Sequence, residues 1–289
     1  MTEPGEGTRT RVAARLPWSE DGLPRPPLLE EFTSRLGARP SPPRSAPVAV
    51  RALAGEQVQV VGETEDAYVV LVLEGERTAA RISVTLPSPE RLLDALASPD
   101  GAALVLVDAA GARTVRALGE DGAVRWERAT TADRLLAAPD GVFLPEGSSV
   151  TRVGADGFAD DAPIPLPRPS PEVFADTQGR LVAFAWDADA EVRLWNRVGA
   201  EPLEVRGDDA AWPLLGAPIG VDDTGRAYGR AEQTLGRVGL DGAPDWRVEF
   251  GRLGADVQAP SRSSVTAGGE VLIGVRFESE LIVVALSGP

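Results

Sequence analysis

The chain has 289 residues, a formal net charge of −15 and a restricted palette: no His, no Cys and no Lys, so that all 29 basic residues are Arg. Without imidazole or thiolate it cannot build an ordinary zinc, haem or iron–sulfur centre, a Cys nucleophile or a Ser-His-Asp triad, and without Lys it has no Walker A lysine or Schiff base. The acidic balance argues against nucleic acid and membrane surfaces as partners, while 43% apolar residues suffice for a core.

Residues 1–46 differ from the rest. Nine of the 25 prolines lie within 1–47, and in 1–46 seven Arg nearly balance six acids. Sequence of this kind buries too little to offset its ordering entropy, so it reads as an extended Pro-rich N-terminal arm. Within it, Pro27 to Gly37 carries proline at a helix start, glycine past its end, and Leu28, Leu29, Phe32 and Leu36 on one stripe, which predicts a short helix. That stripe covers one end of the domain or docks on a partner. The start, Met1 to Trp18, is polar with no apolar core, so no secretory signal or spanning segment is expected, and the cytoplasm is the expected compartment.

From residue 47 the pattern changes to short β-branched runs, among them Val48–Ala52, Val58–Val61, Tyr68–Leu73, Ala80–Val84, Leu104–Asp108, Val142–Leu144, Leu181–Trp186, Val271–Phe277 and Leu281–Leu286. Turns such as Asp121-Gly122, Asp156-Gly157, Thr224-Gly225 and Asp241-Gly242 separate them, which is the signature of an all-β domain. Only Pro89–Leu96 has a helical period. Self-similarity then fixes the class. Arg-Val-Gly recurs at Arg152, Arg197 and Arg237, and Asp-Gly-Ala-x-x-Trp occurs at 121–126 and 241–246, three periods of about 40 apart. Inner strands counted near 70, 105, 143, 183, 227 and 272 give six units, the spacing of a β-propeller blade of four strands. The expected fold is a single β-propeller of six four-stranded blades, with seven the alternative.

The blade consensus, Gly-x-Val-Tyr/Phe followed by Leu-x-x-Asp-Gly-x-x-x-Trp, resembles the quinoprotein-like (PQQ-repeat, WD40-like) propellers over about 240 residues. Quinoprotein dehydrogenases bring Cys, Asn and long extra segments, whereas this chain has no Cys, a single Asn (Asn196) and no such segments, so no cofactor is expected. Because the chain stops at Pro289 after the third strand of its last unit, the outer strand should come from the other end. Pairing of 47–52 with 281–286 is the predicted closure.

Carboxylates are the strongest chemistry left. Asp160-Asp161, Asp187/Asp189/Glu191, Asp208-Asp209 and Asp222-Asp223 all fall in loops, where two could hold Ca²⁺ or act as acid and base. No spacing matches an ion loop, so solvated turn acids are the simpler reading, and no metal site is assigned. Trp126 and Trp246 sit at matched repeat positions and read as inter-blade packing, and Arg-rich strands (Arg125, Arg128, Arg193, Arg197, Arg237, Arg247) read as ladders with Glu. Trp212, in a long connection, and Trp18, in the arm, are the aromatic contacts that packing does not claim. Two functions follow from different classes. One is a non-catalytic cytoplasmic interaction scaffold whose partner-binding residues are Trp18, Leu28, Leu29, Phe32, Leu36 and Trp212, within a bacterial multiprotein system. By architecture it is similar to the propeller partners of MoxR-type ATPase and von Willebrand A systems. The other is a carboxylate- or Ca²⁺-dependent enzyme or ligand-binding propeller acting at the central channel.

Overall fold

The computed structural model describes residues 8–17, 49–53, 56–63, 67–97, 102–138, 140–159, 162–166, 172–176, 178–186, 193–197, 203–205, 218–231, 234–238, 244–249, 264–276 and 280–288. These residues form an all-β propeller of four-stranded blades, with no helix of any length that could cross a membrane. The first strand in the chain is β1 (Arg9–Pro17). Blade one then comprises β2 (Ala49–Ala52), β3 (Val58–Glu63), β4 (Tyr68–Glu74) and β5 (Arg77–Val84), and blade two comprises β6 (Arg91–Ala97), β7 (Ala103–Ala109), β8 (Ala112–Leu118) and β9 (Val124–Thr130). Blade three is β10 (Leu136–Ala138), β11 (Gly141–Glu146), β12 (Ser149–Gly154) and β13 (Ile164–Pro165). Blade four is β14 (Glu172–Ala175), β15 (Leu181–Trp186), β16 (Arg193–Arg197) and β17 (Leu203–Val205). Blade five is β18 (Pro218–Val221), β19 (Ala227–Ala231), β20 (Thr234–Val238) and β21 (Pro244–Glu249). Blade six is β22 (Ser264–Val265), β23 (Val271–Arg276), β24 (Glu280–Ser287) and, outermost, β1.

All pairings within the sheets are antiparallel, and the first strand of each blade is the inner one. Neighbouring inner strands touch around the ring, β2 with β22, β22 with β18, β18 with β14 and β14 with β10. Sheets that pack on their neighbours in this way bury both faces, and the middle strands β4 and β24 read as almost continuously buried: β4 from Val69 to Leu73 and β24 from Leu281 to Val283 and at Ala285 and Leu286. The outer strand β9 instead alternates between exposed and half-buried. The apolar clusters accordingly lie between blades. One joins Ala13, Ala14 and Leu16 of β1 to Val50, Val60, Leu71 and Val283, and another joins Tyr228, Trp246 and Val248 to Val271, Ile273 and Leu286.

The closure differs from expectation. The described part of segment 47–52, Ala49–Ala52, does not pair with 281–286. Ala49–Ala52 pairs with β3, and β24 takes β1 along its whole length, from Arg9 opposite Ser287 to Pro17 opposite Glu280. The reason is strand arithmetic. Blade one already holds three strands in β3, β4 and β5, so β2 is needed as its inner strand and only an earlier segment is left for blade six. Residues 9–17 therefore belong to the ring rather than to an extended arm, while the helix expected over 27–37 lies outside the described residues. Two smaller expectations also change. The run Pro89–Leu96 is not helical: from Arg91 it belongs to the inner strand β6, where a register shift lies between Leu92 and Asp94 and Leu92, Ala95 and Leu96 are buried at helix-like spacing. The runs near 105, 143, 183, 227 and 272 are second strands and that near 70 a third rather than inner ones; the inner strands are shorter, down to the two residues of β22, except in blade two, where β6 equals β7 at seven residues.

Candidate functional site

Strand direction divides the loops between two faces. Each inner strand starts, and each outer strand ends, on one face, here the connection face; first-to-second hairpins and third-to-fourth turns lie on the other, the hairpin face. Pro17 ends β1 beside Glu280 at the start of β24, Val205 ends β17 beside Arg193, and Glu249 ends β21 beside Thr234, which puts all three ends on the connection face. The stretches that leave there differ greatly in length. Junctions one to two, two to three and three to four use 85–90, 131–135 and 166–171, whereas four to five, five to six and six to one use 206–217, 250–263 and 18–48. The candidates Trp18, Leu28, Leu29, Phe32, Leu36 and Trp212 themselves lie outside the described residues, but all belong to two of these long connections.

Polar side chains stitch the ring at its junctions. The most buried is a clasp that sequence reading did not single out. Asp94 of β6, with a side chain 0% exposed, accepts Arg51 Nη2 of β2 at 3.2 and 3.3 Å, its own neighbour Ala95 N at 2.9 Å and Leu135 N at 2.8 Å. Arg51, itself 17% exposed, completes the joint by donating to the carbonyls of Ala95 at 2.8 Å and Leu135 at 3.2 Å, so three blades meet at one ion pair. Buried Gln59 adds two bonds across the same junction, donating to Ala95 O at 2.8 Å and accepting Ala97 N at 2.6 Å. Further round, Glu146 of β11 accepts the hydroxyls of Thr130 at 2.6 Å and Thr151 at 2.7 Å and the Thr131 N–H at 3.3 Å. Burial pushes the Glu146 carboxyl up, but these donors and the nearby Arg128 charge outweigh it and hold it below the usual range. Arg134 spans to blade four, donating to Glu172 at 2.7 Å and lying 5.4 Å over the Phe174 ring. Ser264 Oγ accepts Ala52 N at 3.0 Å between blades six and one.

On the hairpin face a repeated device explains one of the acidic pairs. Asp222 is buried and caps its own hairpin: Oδ1 accepts Thr224 N at 2.9 Å, Thr224 Oγ1 at 2.6 Å and Arg226 N at 3.0 Å. Asp176 does the same in blade four through Gln178 N at 3.0 Å and Arg180 N at 2.8 Å. Thr266 takes the place in blade six, its hydroxyl accepting Glu270 N at 3.0 Å. The hairpins also touch: Gln178 Nε2 donates to Asp223 Oδ2 at 3.1 Å and Asp223 N to Ala267 O at 3.4 Å. Asp222 and Asp223 thus serve hairpin geometry. The remaining acidic groups, Asp160-Asp161, Asp187/Asp189/Glu191 and Asp208-Asp209, lie outside the described residues. Among the described residues, no group of three or more acids is arranged to hold a metal ion.

The tryptophans at matched positions pack between blades. Trp246 meets Tyr228 edge-on, with ring centroids 6.5 Å apart, and Tyr228, wholly buried, donates to Asp222 Oδ2 at 3.1 Å. Burial, with the Asp222 charge next, pushes the Tyr228 phenol far up, so it stays protonated and serves as a donor. Trp126 donates Nε1–H to Ala155 O at 2.8 Å and lies on the turn at Gly157. A ladder of the expected kind joins Arg116 to Glu127 directly across β8 and β9, and Arg116 also holds Glu90 through two bonds at 2.6 and 2.7 Å.

No protein-family model matches the chain, and no curated protein does. Solved structures do. A catalytically inactive histidine-to-alanine variant of virginiamycin B lyase from Staphylococcus aureus, with quinupristin, superposes with a TM-score of 0.51 at 11% identity, covering 96% of this chain and 99% of that one. Kuenenia stuttgartiensis hydrazine synthase gives a TM-score of 0.47 at 12% identity over 83% of this chain and 77% of that one. Kluyveromyces lactis Hsv2 gives 0.44 at 9% identity over 80% and 83%. At 11% identity the likeness to the lyase structure concerns the fold alone, in keeping with the β-propeller described above.

Proposed function

We propose that the chain is a non-catalytic protein-interaction scaffold of the bacterial cytoplasm, which holds a protein partner on the connection face over blades four, five, six and one. The observation that carries this reading is the asymmetry of that face. Three consecutive junctions have connections of 12, 14 and 31 residues where the other three have five or six. Together the long connections hold seven Arg and seven acids, so they are electrically neutral in a chain of net charge −15. They also hold Trp18, Leu28, Leu29, Phe32, Leu36, Trp212, Phe250 and Leu253. A neutral stretch rich in Trp, Phe and Leu on an otherwise acidic surface suits a protein partner with an apolar patch. Loops positioned by a rigid scaffold are where binding residues concentrate. A protein of the MoxR-type ATPase and von Willebrand A kind is the partner class this reading names.

Two features support the absence of catalysis. The buried acids Asp94, Asp176 and Asp222 are committed to clasps and hairpin caps. The similar lyase structure is of a form inactivated by loss of one histidine, and this chain contains no His at all.

The test is a comparative capture from lysate of the source cell with four tagged chains: the parent, Leu28→Asp with Phe32→Asp, Trp212→Asp, and Phe158→Asp as a control. Phe158 is 73% exposed but lies in the third-to-fourth turn of blade three, on the hairpin face. A protein retained by the parent and by Phe158→Asp, and reduced at least about tenfold on the other two, is the expected result. Equal retention by all four, or loss only with Phe158→Asp, would refute the reading.

A further inference from the structure

We propose that the outer edge of β24 is a strand-exchange seat, filled in the monomer by the chain's own β1 and able to take β1 of a second copy of this chain. Four observations lead there. First, β1 buries few side chains for a strand paired along its whole length. Of its nine residues only Ala13, Ala14 and Leu16 are buried, and Val12 is 47% exposed. Its ion pairs among the described residues, Arg11 with Glu270 and Arg15 with Glu280, involve arginine side chains 45% and 40% exposed, where solvent screens them.

Second, the seat is not lightly built. β24 presents an eight-residue edge whose Leu281, Val283 and Ala285 share a cluster with β1, and such an edge left open is a template for another strand. Third, the chain between β1 and β2 is 31 residues long, against five or six at three other junctions. Fully extended, that length reaches roughly 100 Å, so β1 can leave its seat without pulling on blade one and can reach a neighbouring molecule. Fourth, the incoming strand fits by construction. The β1 of a second copy brings the same register, from Arg9 opposite Ser287 to Pro17 opposite Glu280, and the same two arginines for Glu270 and Glu280. Exchange is reciprocal, because each copy vacates the seat that the other fills, so it closes as a two-fold dimer.

Concentration decides between the two states. A tether of this length gives β1 an effective concentration at its own seat on the order of 10 mM. The closed monomer is then the ground state at micromolar protein, and the exchanged dimer grows in proportion to concentration to roughly a tenth of chains near 0.5 mM.

The chain has no Cys, so engineered thiols report cleanly. Val12 lies directly opposite Val284 in the β1–β24 register. Two full-length chains, Val12→Cys and Val284→Cys, are mixed, held at about 5 μM and about 0.5 mM, then oxidised. A control mixture pairs Val12→Cys with Val124→Cys, since Val124 is 51% exposed on blade two. The proposal expects a mixed disulfide between Val12→Cys and Val284→Cys chains that rises about a hundredfold between the two concentrations and exceeds the control at least tenfold. Mixed disulfide no higher than the control, or none at 0.5 mM, would overturn it. A third chain carrying both substitutions must close its own intramolecular disulfide at 5 μM; failure there would overturn the β1–β24 register itself.

Discussion

Replacing Asp94 by Ala should be among the most damaging single changes in this chain. The carboxylate receives four hydrogen bonds, two from Arg51 and one each from Ala95 N and Leu135 N, and its side chain is wholly buried. Without it the Leu135 N–H, on a residue 0% exposed, loses its partner, at a cost of about 1–3 kcal/mol. Arg51 keeps its bonds to Ala95 O and Leu135 O but loses its counter-charge in a site where only 17% of the side chain meets solvent. Breaking a buried pair from one side costs about 3–5 kcal/mol, which at about 2 °C per kcal/mol for a chain of this size lowers Tm by roughly 6–10 °C. Urea denaturation followed by tryptophan fluorescence measures the loss. A double-mutant cycle with Arg51→Met isolates the pair: the coupling should exceed about 1 kcal/mol, because an Arg left alone is worse than neither partner. A loss for Asp94→Ala under about 1 kcal/mol, or two substitutions that simply add, would refute the reading of this joint as the clasp of three blades.

Three further outcomes follow from the geometry. Gly157 has φ +87°, and an added Cβ would stand 2.7 Å from the Trp126 ring, so Gly157→Ala should cost about 2 kcal/mol by strain and displaced packing, measured as a fall in the urea midpoint. Glu146 and Glu90 both have carboxyls held below their usual range, Glu90 by its bonds from Arg116. A depressed carboxylate contributes stability that is present above the unfolded pKa of about 4.3 and is lost as pH falls through the lower folded pKa, so stability should drop below about pH 4.5 and the drop should shrink in Glu146→Gln. Calcium at about 1 mM should leave Tm within about 1 °C, whereas a rise of several degrees would favour an ion-dependent propeller.

The repeat grammar was legible because it rests on turn chemistry and large side chains. The Asp-Gly-Ala-x-x-Trp units stand where outer strands follow their turns, and Trp126 and Trp246 pack between blades as their matched positions implied. Closure was harder to read because Arg9 to Pro17 buries only three small or medium side chains within Pro-rich, charge-balanced sequence, so its strand pattern is faint. Counting would have found it: three strands at 58–84 require Ala49–Ala52 as their inner partner and leave the last blade short. The Arg51–Asp94 clasp gave no signal, since an isolated Asp in an apolar run declares neither burial nor partner, and the partner lies 43 residues away. The hairpin caps were visible as Asp176-Thr-Gln-Gly-Arg and Asp222-Asp-Thr-Gly-Arg, but as acidic turns whose burial only the packed ring reveals.

Residues 9–17 belong to the ring, and residues 18–48 link the end of β1 to the start of β2. The direct measurement compares thermal unfolding of two chains. One has residues 20–46 replaced by an eight-residue Gly-Ser linker, longer than the five or six residues that suffice at three other junctions; the other begins at residue 18 and so lacks β1. The linker chain should melt cooperatively within about 3 °C of the parent, since every described contact of the ring is kept. The chain without β1 loses the burial of Leu16, Ala13 and Ala14 and leaves the β24 edge open, and should melt at least about 10 °C lower or without a cooperative transition. A chain starting at residue 18 that melts like the parent, or a linker chain that does not fold, would contradict the account.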